Sequence, residues 1–287
     1  MNLPNKDIHN LIDCLTRSNF SFAIYRLPWT DECYFVMQAT PEAGTLKDIA
    51  ELNGKKGFVI APFHTTEEHP LVLIQPDITA YDWTEIGQAL SSFRYKDAIL
   101  SCKKIPGESF FPFTEEERYS RYNDAFDRFM EPLQKKAFKK LVLSRPAFHP
   151  LKEDFSPFET FIKACNEYPR MMIYLCHTPT TGTWMGSTPE IILSGHAQNW
   201  NTVALAGTMA ITENQESAEW SNKNKEEQAL VAEYIRKIVK KHGRKMTEKG
   251  PYTARAGQLV HLKTDFHFQL KETGFLGDLL KELHPTP

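Results

Sequence analysis

The side chains able to do chemistry in this 287-residue chain are scattered, not gathered in one compact signature. There is no G-x-x-x-x-G-K phosphate loop, no G-x-G-x-x-G behind a strand, no H-E-x-x-H and no G-x-S-x-G. Nucleotide, dinucleotide, zinc-hydrolase and serine-hydrolase chemistry therefore lack their usual supports. His64 and His69 flank an acidic pair, and His261 and His267 lie six residues apart. Imidazoles at such spacings are more often loop or core histidines than metal ligands. Four short segments remain. They are Lys140-Leu-Val-Leu-Ser-Arg145, Gly186-Ser-Thr-Pro-Glu190, Leu205-Ala-Gly-Thr208 with Lys223-Asn-Lys-Glu-Glu227 after it, and His261-Leu-Lys-Thr264 leading to Leu283-His-Pro-Thr-Pro287. Taken alone, Lys140 is a solvated lysine at a strand start and Glu190 a turn carboxylate beside Pro189. Glu226 and Glu227 suit the first turn of a helix, where carboxylates meet the positive end of the macrodipole. Glu227 also lies three and four residues before Leu230 and Val231, which places it on that helix's buried face.

In this order, the four segments resemble the chorismate-binding enzymes: isochorismate, salicylate, anthranilate and aminodeoxychorismate synthases. The resemblance runs from about residue 114 to residue 287 and points within the family to isochorismate synthase. It implies a Mg²⁺-dependent reaction in which water adds at C2 of chorismate, the ring double bonds shift and the C4 hydroxyl departs. Such a reaction needs a base for the water, an acid for the leaving hydroxyl and positive charge opposite the ring carboxylate. Lys140 aligns with the family's water-activating lysine, whose usual pKa of ~10.4 must be lowered by desolvation or a nearby cation. Glu190 aligns with the general acid, whose pKa must rise, as burial against Trp184 or Ile192 would make it do. Glu227 aligns with one of two magnesium-ligand glutamates, and a one-residue slip in register would exchange it with Glu226. Gly207 and Thr208 match a substrate-side turn where backbone N–H groups can approach a carboxylate. His261 and Thr264 match the His-Leu-x-Thr segment near the substrate. All four can equally be strand residues with satisfied side chains.

The sequence also departs from the family's pattern. After Ala-Gly-Thr, relatives often continue with an Arg-Pro-Arg-Gly-like stretch and a longer loop, whereas here the chain runs Met209-Ala-Ile211 into what reads as a short one. The Lys-Asp-x-x-Glu-His pattern becomes Lys223-Asn-Lys-Glu-Glu-Gln228, which keeps the ligand and changes two neighbours. The family's next stretch, with the second magnesium glutamate and a carboxylate-gripping arginine, would follow Pro287. On that reading the chain lacks the family's C-terminal segment, and little or no synthase activity is expected of it alone. Lys140 favours the water-using branch, because the ammonia-using anthranilate enzymes lack a lysine there. No glutamine amidotransferase partner is expected. Salicylate synthase, which adds a pyruvate elimination, and a non-catalytic chorismate-binding fold remain alternatives. Isochorismate can feed menaquinone, siderophore or salicylate routes, and nothing in the sequence chooses among them.

Positioning these groups falls to a chain that is 41% hydrophobic and 24% charged, long enough to bury one large core or two small ones. Its net charge of −2 and pI of about 6.6 offer no general attraction to nucleic acid or an anionic membrane. The five cysteines, Cys14, Cys33, Cys102, Cys165 and Cys176, are widely spaced with no C-x-x-C pair, as expected for reduced thiols in the cytoplasm. No apolar run approaches the roughly 20 residues of a bilayer span, and the N-terminus has no apolar signal core. A cytoplasmic monomer with chorismate as its partner is expected.

Short strands are predicted at Ser21 to Tyr25, Cys33 to Met37, Gly57 to Ile60 and Leu71 to Ile74. Thr114 and Glu117 then form a capping box before an apolar stripe of Tyr119, Tyr122, Phe126, Phe129, Met130 and Leu133. This helix is expected to lead into a strand at Lys140 to Arg145. Further on come a helix with Phe158, Phe161, Ile162 and Cys165 on one face, and strands at Met171 to His177, Trp184 to Ser187, Glu190 to Leu193 and Thr202 to Leu205. A long helix from Lys223 to Lys241 should bury Leu230, Val231, Tyr234, Ile235 and Ile238. Strands following strands, with helices between groups, predict an α+β fold. The resemblance implies two large, mainly antiparallel sheets packed across each other with flanking helices, incomplete at the C-terminus. Residues 1–112 would be a strand-rich half and 113–287 the catalytic region of one domain.

Overall fold

The computed structural model describes residue 4, residues 6–93, residue 99, residues 113–211 and residues 219–286. Cys102 and most of the loop after Ile211 lie outside the described residues. Two compact units divide the chain, one formed by Met1–Lys103 with Ser156–Thr286 and the other by Lys104–Phe155.

In the larger unit, β1 (Phe22–Arg26), β2 (Tyr34–Met37), β3 (Gly44–Leu46), β4 (Phe58–Ile60), β5 (Leu71–Ile74) and β6 (Ile78–Tyr81) come first. β7 (Met172–Thr178), β8 (Gly182–Thr188), β9 (Ser194–His196), β10 (Asn199–Ala210), β11 (Gly243–Ala256) and β12 (Leu259–Leu270) follow. Among the described residues the helices are α1 (Lys6–Leu15), α2 (Asp82–Ser92), α3 (Glu115–Gln134), α4 (Pro157–Glu167), α5 (Asn222–His242) and α6 (Leu276–Leu283), of which α3 belongs to the smaller unit. The strands form a five-stranded sheet ordered β6-β2-β1-β7-β8, a four-stranded sheet ordered β11-β12-β10-β9 and a three-stranded sheet ordered β3-β5-β4. Each described pairing is antiparallel. The α+β class and the two larger antiparallel sheets are as the sequence implies, with a small third sheet in addition.

Strict alternation gives the five-stranded sheet two apolar faces. Phe22 and Ile24, Phe35 and Met37, and Ile173 and Leu175 point into one cluster with α1, α2 and α4. Their neighbours Ala23, Val36 and Cys176 point the other way, onto Ile74, Phe58 and Ile60 of the three-stranded sheet. Helix α4 forms where the sequence places it. Ser156 caps it by accepting from the Glu159 N–H, Pro157 opens its first turn, and Phe158, Phe161, Ile162 and Cys165 are its buried stripe.

Arg26, at the end of β1, is buried at 2% exposure. Its Nη1 donates to the carbonyls of Leu27 (2.9 Å) and Pro169 (3.0 Å), and its Nη2 to those of Tyr168 (2.7 Å) and Met171 (3.0 Å). One guanidinium thus ties the turn between α4 and β7 to the central strand.

The four-stranded sheet has its own helical cover. Ala204 and Ala206 of β10, Phe266, Phe268 and Leu270 of β12, and Leu279 and Leu283 of α6 pack with Val231, Ala232, Ile235, Ile238 and Val239 of α5. Helix α5 starts at its Ser221 cap, which accepts from the Asn224 N–H, and ends in Lys240, Lys241 and His242, placed to favour the negative end of the macrodipole. Its buried face is turned by about one residue from the predicted one. Gln228 is buried, whereas Glu227, Leu230 and Tyr234 are only half-buried.

The smaller unit departs from prediction. Helix α3 has the expected reciprocal capping box of Thr114 and Glu117, yet none of its residues is buried and Tyr119 is 63% exposed. Periodicity identified a helix but could not say what would cover its stripe. The strand predicted at Lys140 to Arg145 does not form, and residues 139–150 have no regular structure. A β-branched or aliphatic run pairs only where a neighbouring strand edge is supplied. Likewise Glu190 to Leu193 is irregular, and pairing with β10 begins at Ser194.

Arg26→Ala would remove four hydrogen bonds at once, although the Leu27, Tyr168 and Pro169 carbonyls keep a second donor in Thr30, Met171 and Trp29. We expect a loss of roughly 3 kcal/mol or more in urea unfolding, with the α4–β7 turn the first region to gain amide exchange.

Candidate active site

Strands β10 and β12 pair in register from Asn199↔Gln269 to Ala206↔Leu262, then resume at Thr208↔His261 after a one-residue bulge. Before the bulge, Ala204 and Ala206 of β10 and Leu262 and Thr264 of β12 are buried, and both alanines belong to the core cluster of α5. The bulge residue, Gly207, has a φ of +70°, a conformation costly for residues with a side chain. A Cβ there would lie 3.2 Å from the Asn224 Cβ and 3.4 Å from the Trp220 ring. The extra residue reverses the alternation, so Thr208 shares a face with His261.

Those three residues form a hydrogen-bonded group. His261 Nδ1 lies 3.2 Å from the Gly207 carbonyl oxygen and 3.2 Å from Thr208 Oγ1. A carbonyl can only accept, so in this arrangement Nδ1 is the donor. Alternation along β12 sets Lys263 and Asp265 on the same side as His261. Lys263 Nζ is 3.0 Å from Asp265, and the Tyr252 hydroxyl donates to the other carboxylate oxygen. Burial acts to raise the Asp265 pKa, but the bonds from Tyr252 and Lys263 outweigh it and hold the carboxyl below its ordinary range. Burial likewise opposes charge on Lys263, and Asp265 more than compensates, raising its pKa. This wall is therefore an internally neutralised ion pair beside an imidazole.

Thr264 is placed differently from its predicted companions. At 1% exposure it faces α5, and its Oγ1 accepts from Gln228 Nε2 at 3.1 Å. The same Nε2 donates to the Ala204 carbonyl at 3.0 Å. Glu227, one residue before Gln228, is half-buried near the start of α5, and Glu226 is exposed.

Glu190 follows β8 in the irregular stretch, where its N–H donates to Thr188 Oγ1 at 3.0 Å. Two residues on, the Ile192 carbonyl accepts from Thr202 Oγ1 of β10 at 2.6 Å, which lays this stretch against the four-stranded sheet. Glu190 is half-buried, but Trp184, one of the neighbours expected to enclose it, is 56% exposed with its indole N–H bonded to the Thr181 carbonyl. Lys140 belongs to the smaller unit, half-buried in the irregular segment after α3. The structure thus joins Gly207, Thr208 and His261, links Thr264 to the Glu227-bearing helix, and sets Glu190 on a neighbouring stretch. Trp220, Asn224 and Gln228 are contributors that motif reasoning missed. The available signal was Gln228, an amide standing on an otherwise apolar helical stripe.

Among the described residues, no three His, Cys, Asp or Glu side chains gather as a metal-binding group. Mg²⁺ is usually held by one or two carboxylates, with water and substrate oxygens completing its octahedron. Glu227 is a hard oxygen donor of the right kind, so the donor chemistry fits, and it is the residue that would hold the ion. A cavity of about 240 Å³ lined by Lys241, His242 and Phe275 lies at the other end of α5. With 21 residues in the helix, it is about 30 Å from this turn and takes no part in the site.

The bulged sheet thus carries an imidazole and a hydroxyl on one face and a carboxylate-bearing helix on the other. Residues 58–287 match the family described as chorismate binding enzyme, and the chain belongs to that family. A salicylate biosynthesis isochorismate synthase of Pseudomonas aeruginosa is 29% identical over 158 residues, covering 52% of this chain and 33% of that protein. The chain thus spans about a third of the length of that curated relative. Among solved structures, the menaquinone-specific isochorismate synthase MenF of Escherichia coli superposes with a TM-score of 0.62 at 14% identity, over 99% of this chain and 72% of its own. DhbC of Bacillus anthracis, assigned as a 2,3-dihydroxybenzoate-specific isochorismate synthase, gives 0.68 at 15% identity, over 97% and 76%. At such identities the likeness shows the fold.

Gly207→Ala would combine a positive φ with crowding against Asn224 and Trp220. We expect it to cost roughly 1–2 kcal/mol in chemical denaturation and to disturb the His261 imidazole resonances, with no such change for Gly274→Ala, which has open space around it.

Proposed function

We propose that this chain carries the chorismate-converting site of an isochorismate synthase. The observation that supports it most is the Gly207 bulge, which brings Gly207, Thr208 and His261, drawn from two separate segments, into one hydrogen-bonded group. Chorismate presents carboxylates, and backbone N–H groups at a glycine bulge with a hydroxyl and an imidazole beside them are suited to receive one. Beneath the same bulge lies the start of the helix that carries Glu227.

In the proposed chemistry, the Lys140 amine takes a proton from the water whose oxygen bonds to C2. The ring double bonds shift, the C4–O bond breaks, and Glu190 supplies the proton that lets the hydroxyl depart as water. Solvent then returns the proton to Glu190 and removes the one on Lys140. Bound at Glu227, Mg²⁺ would neutralise carboxylate charge on the substrate ring. The names of the three relatives set isochorismate on routes to salicylate, menaquinone and 2,3-dihydroxybenzoate. No one of these routes is preferred for this chain.

A protein that joins this chain to the family's C-terminal segment, incubated with chorismate and Mg²⁺ and followed by chromatography, is expected to yield isochorismate. Salicylate with pyruvate would instead identify a salicylate synthase, and unchanged chorismate a binding fold without turnover. Lys140→Ala and Glu190→Gln should each lower turnover by about 10²-fold or more, and chelation of the metal should abolish it. Normal turnover in Lys140→Ala would remove the base assignment.

A further inference from the structure

Gln228 is the largest polar irregularity in the core beneath the candidate site. It stands on the face of α5 that otherwise buries Val231, Ala232, Ile235, Ile238 and Val239, and it is 2% exposed. Its orientation is fixed, because the Ala204 carbonyl can only accept and must face Nε2. Thr264 Oγ1 takes a second bond from the same nitrogen. The amide oxygen, Oε1, is left buried with no hydrogen-bond partner among the described residues.

An unpaired buried carbonyl is destabilising, and a leucine or methionine would fill the position without it. Stability therefore does not account for glutamine here. Register does: an apolar contact lets a helix slide or rotate on a sheet, while two bonds from one nitrogen to β10 and β12 allow a single setting. The residue whose place depends most on that setting is Glu227, adjacent in sequence, half-buried, and turned by about 100° around the helix from Gln228.

We infer that Gln228 is a positioning residue that fixes the rotation and register of α5 on strands β10 and β12, and so holds the Glu227 carboxylate where a divalent cation and the substrate meet. Thr264 acts with it as the second anchor and not as a group that touches substrate. The inference rests on the reading of Glu227 as the Mg²⁺ ligand, so the experiment separates the two.

Mn²⁺ is the probe, titrated with chorismate present and followed by electron paramagnetic resonance, alongside urea unfolding of each protein. Gln228→Met is expected to unfold at the same or a higher urea concentration than wild type and to bind Mn²⁺ about tenfold more weakly. Thr264→Val is expected to bind it about threefold more weakly alone and to add nothing in the Gln228→Met background, the mark of one shared linkage. Glu227→Gln serves as the control, with a loss of about tenfold or more. If Glu227→Gln binds Mn²⁺ as wild type does, the metal reading fails and this inference with it. If Glu227→Gln weakens binding while Gln228→Met does not, the inference alone fails. A Gln228→Met protein that unfolds or is strongly destabilised also overturns it, because the glutamine is then there for stability.

Discussion

A β-strand alternates its side chains without exception, and strand β10 must serve two environments that alternation alone cannot reconcile. Ala204 and Ala206 have to face α5 to close the core, while Thr208 has to face His261. One additional residue resolves the conflict, and that residue must tolerate φ near +70° while leaving no volume beneath Asn224 and Trp220. Only glycine meets both conditions. Much of the site follows from this constraint. It sets which face Thr208 presents, which carbonyl receives the His261 proton, and how closely the start of α5 approaches the strand.

The helix is then bound by two kinds of force with different consequences. Burial of Val231, Ile235, Ile238 and Val239 against Phe266 and Phe268 supplies the bulk of the free energy, about 1.5–3 kcal/mol for each large side chain fully removed from water. That force is non-directional and does not choose among neighbouring registers. The bonds of Gln228 to Ala204 and Thr264 contribute little net stability but are directional. A carboxylate on such a helix is only as well placed as its directional contacts make it.

Much of this was legible in the sequence, for identifiable reasons. Strands β1, β2, β4, β5 and β7 were visible because their apolar runs end at turn residues, and α4 because a serine, a proline and an apolar stripe occur at capping and helical spacings. The family was legible from ordered short segments, which encode chemistry and turn geometry together. The strand predicted at Lys140 to Arg145 was not, because a strand needs an edge to pair with and local composition carries no record of one. The rotation of α5 was missed because an amide at Gln228 scores as polar and pushes the inferred stripe towards Leu230 and Tyr234. Thr264 is close to His261 in sequence, but three residues apart along a strand means opposite faces.

Arg26 and Gln228 show the same trade at two places in the larger unit. Each is buried, each gives its donors to acceptors from separate segments, and among the described residues each leaves one polar atom unmatched, Nε in the arginine and Oε1 in the glutamine. An apolar side chain in either place would avoid the unmatched atom but would lose four buried bonds between segments at Arg26 and leave register undetermined at Gln228. The two sites are not equivalent in cost. Arg26 gives four buried bonds, three to the α4–β7 turn and one to Leu27 after β1, and so joins segments distant in sequence; its removal acts chiefly on stability. Gln228 serves a strand already paired with its neighbour and a helix already buried, so its removal acts chiefly on geometry. Buried polar residues in this fold are thus best distinguished by what their partners lack without them, a criterion that separates a structural anchor from one that serves the site.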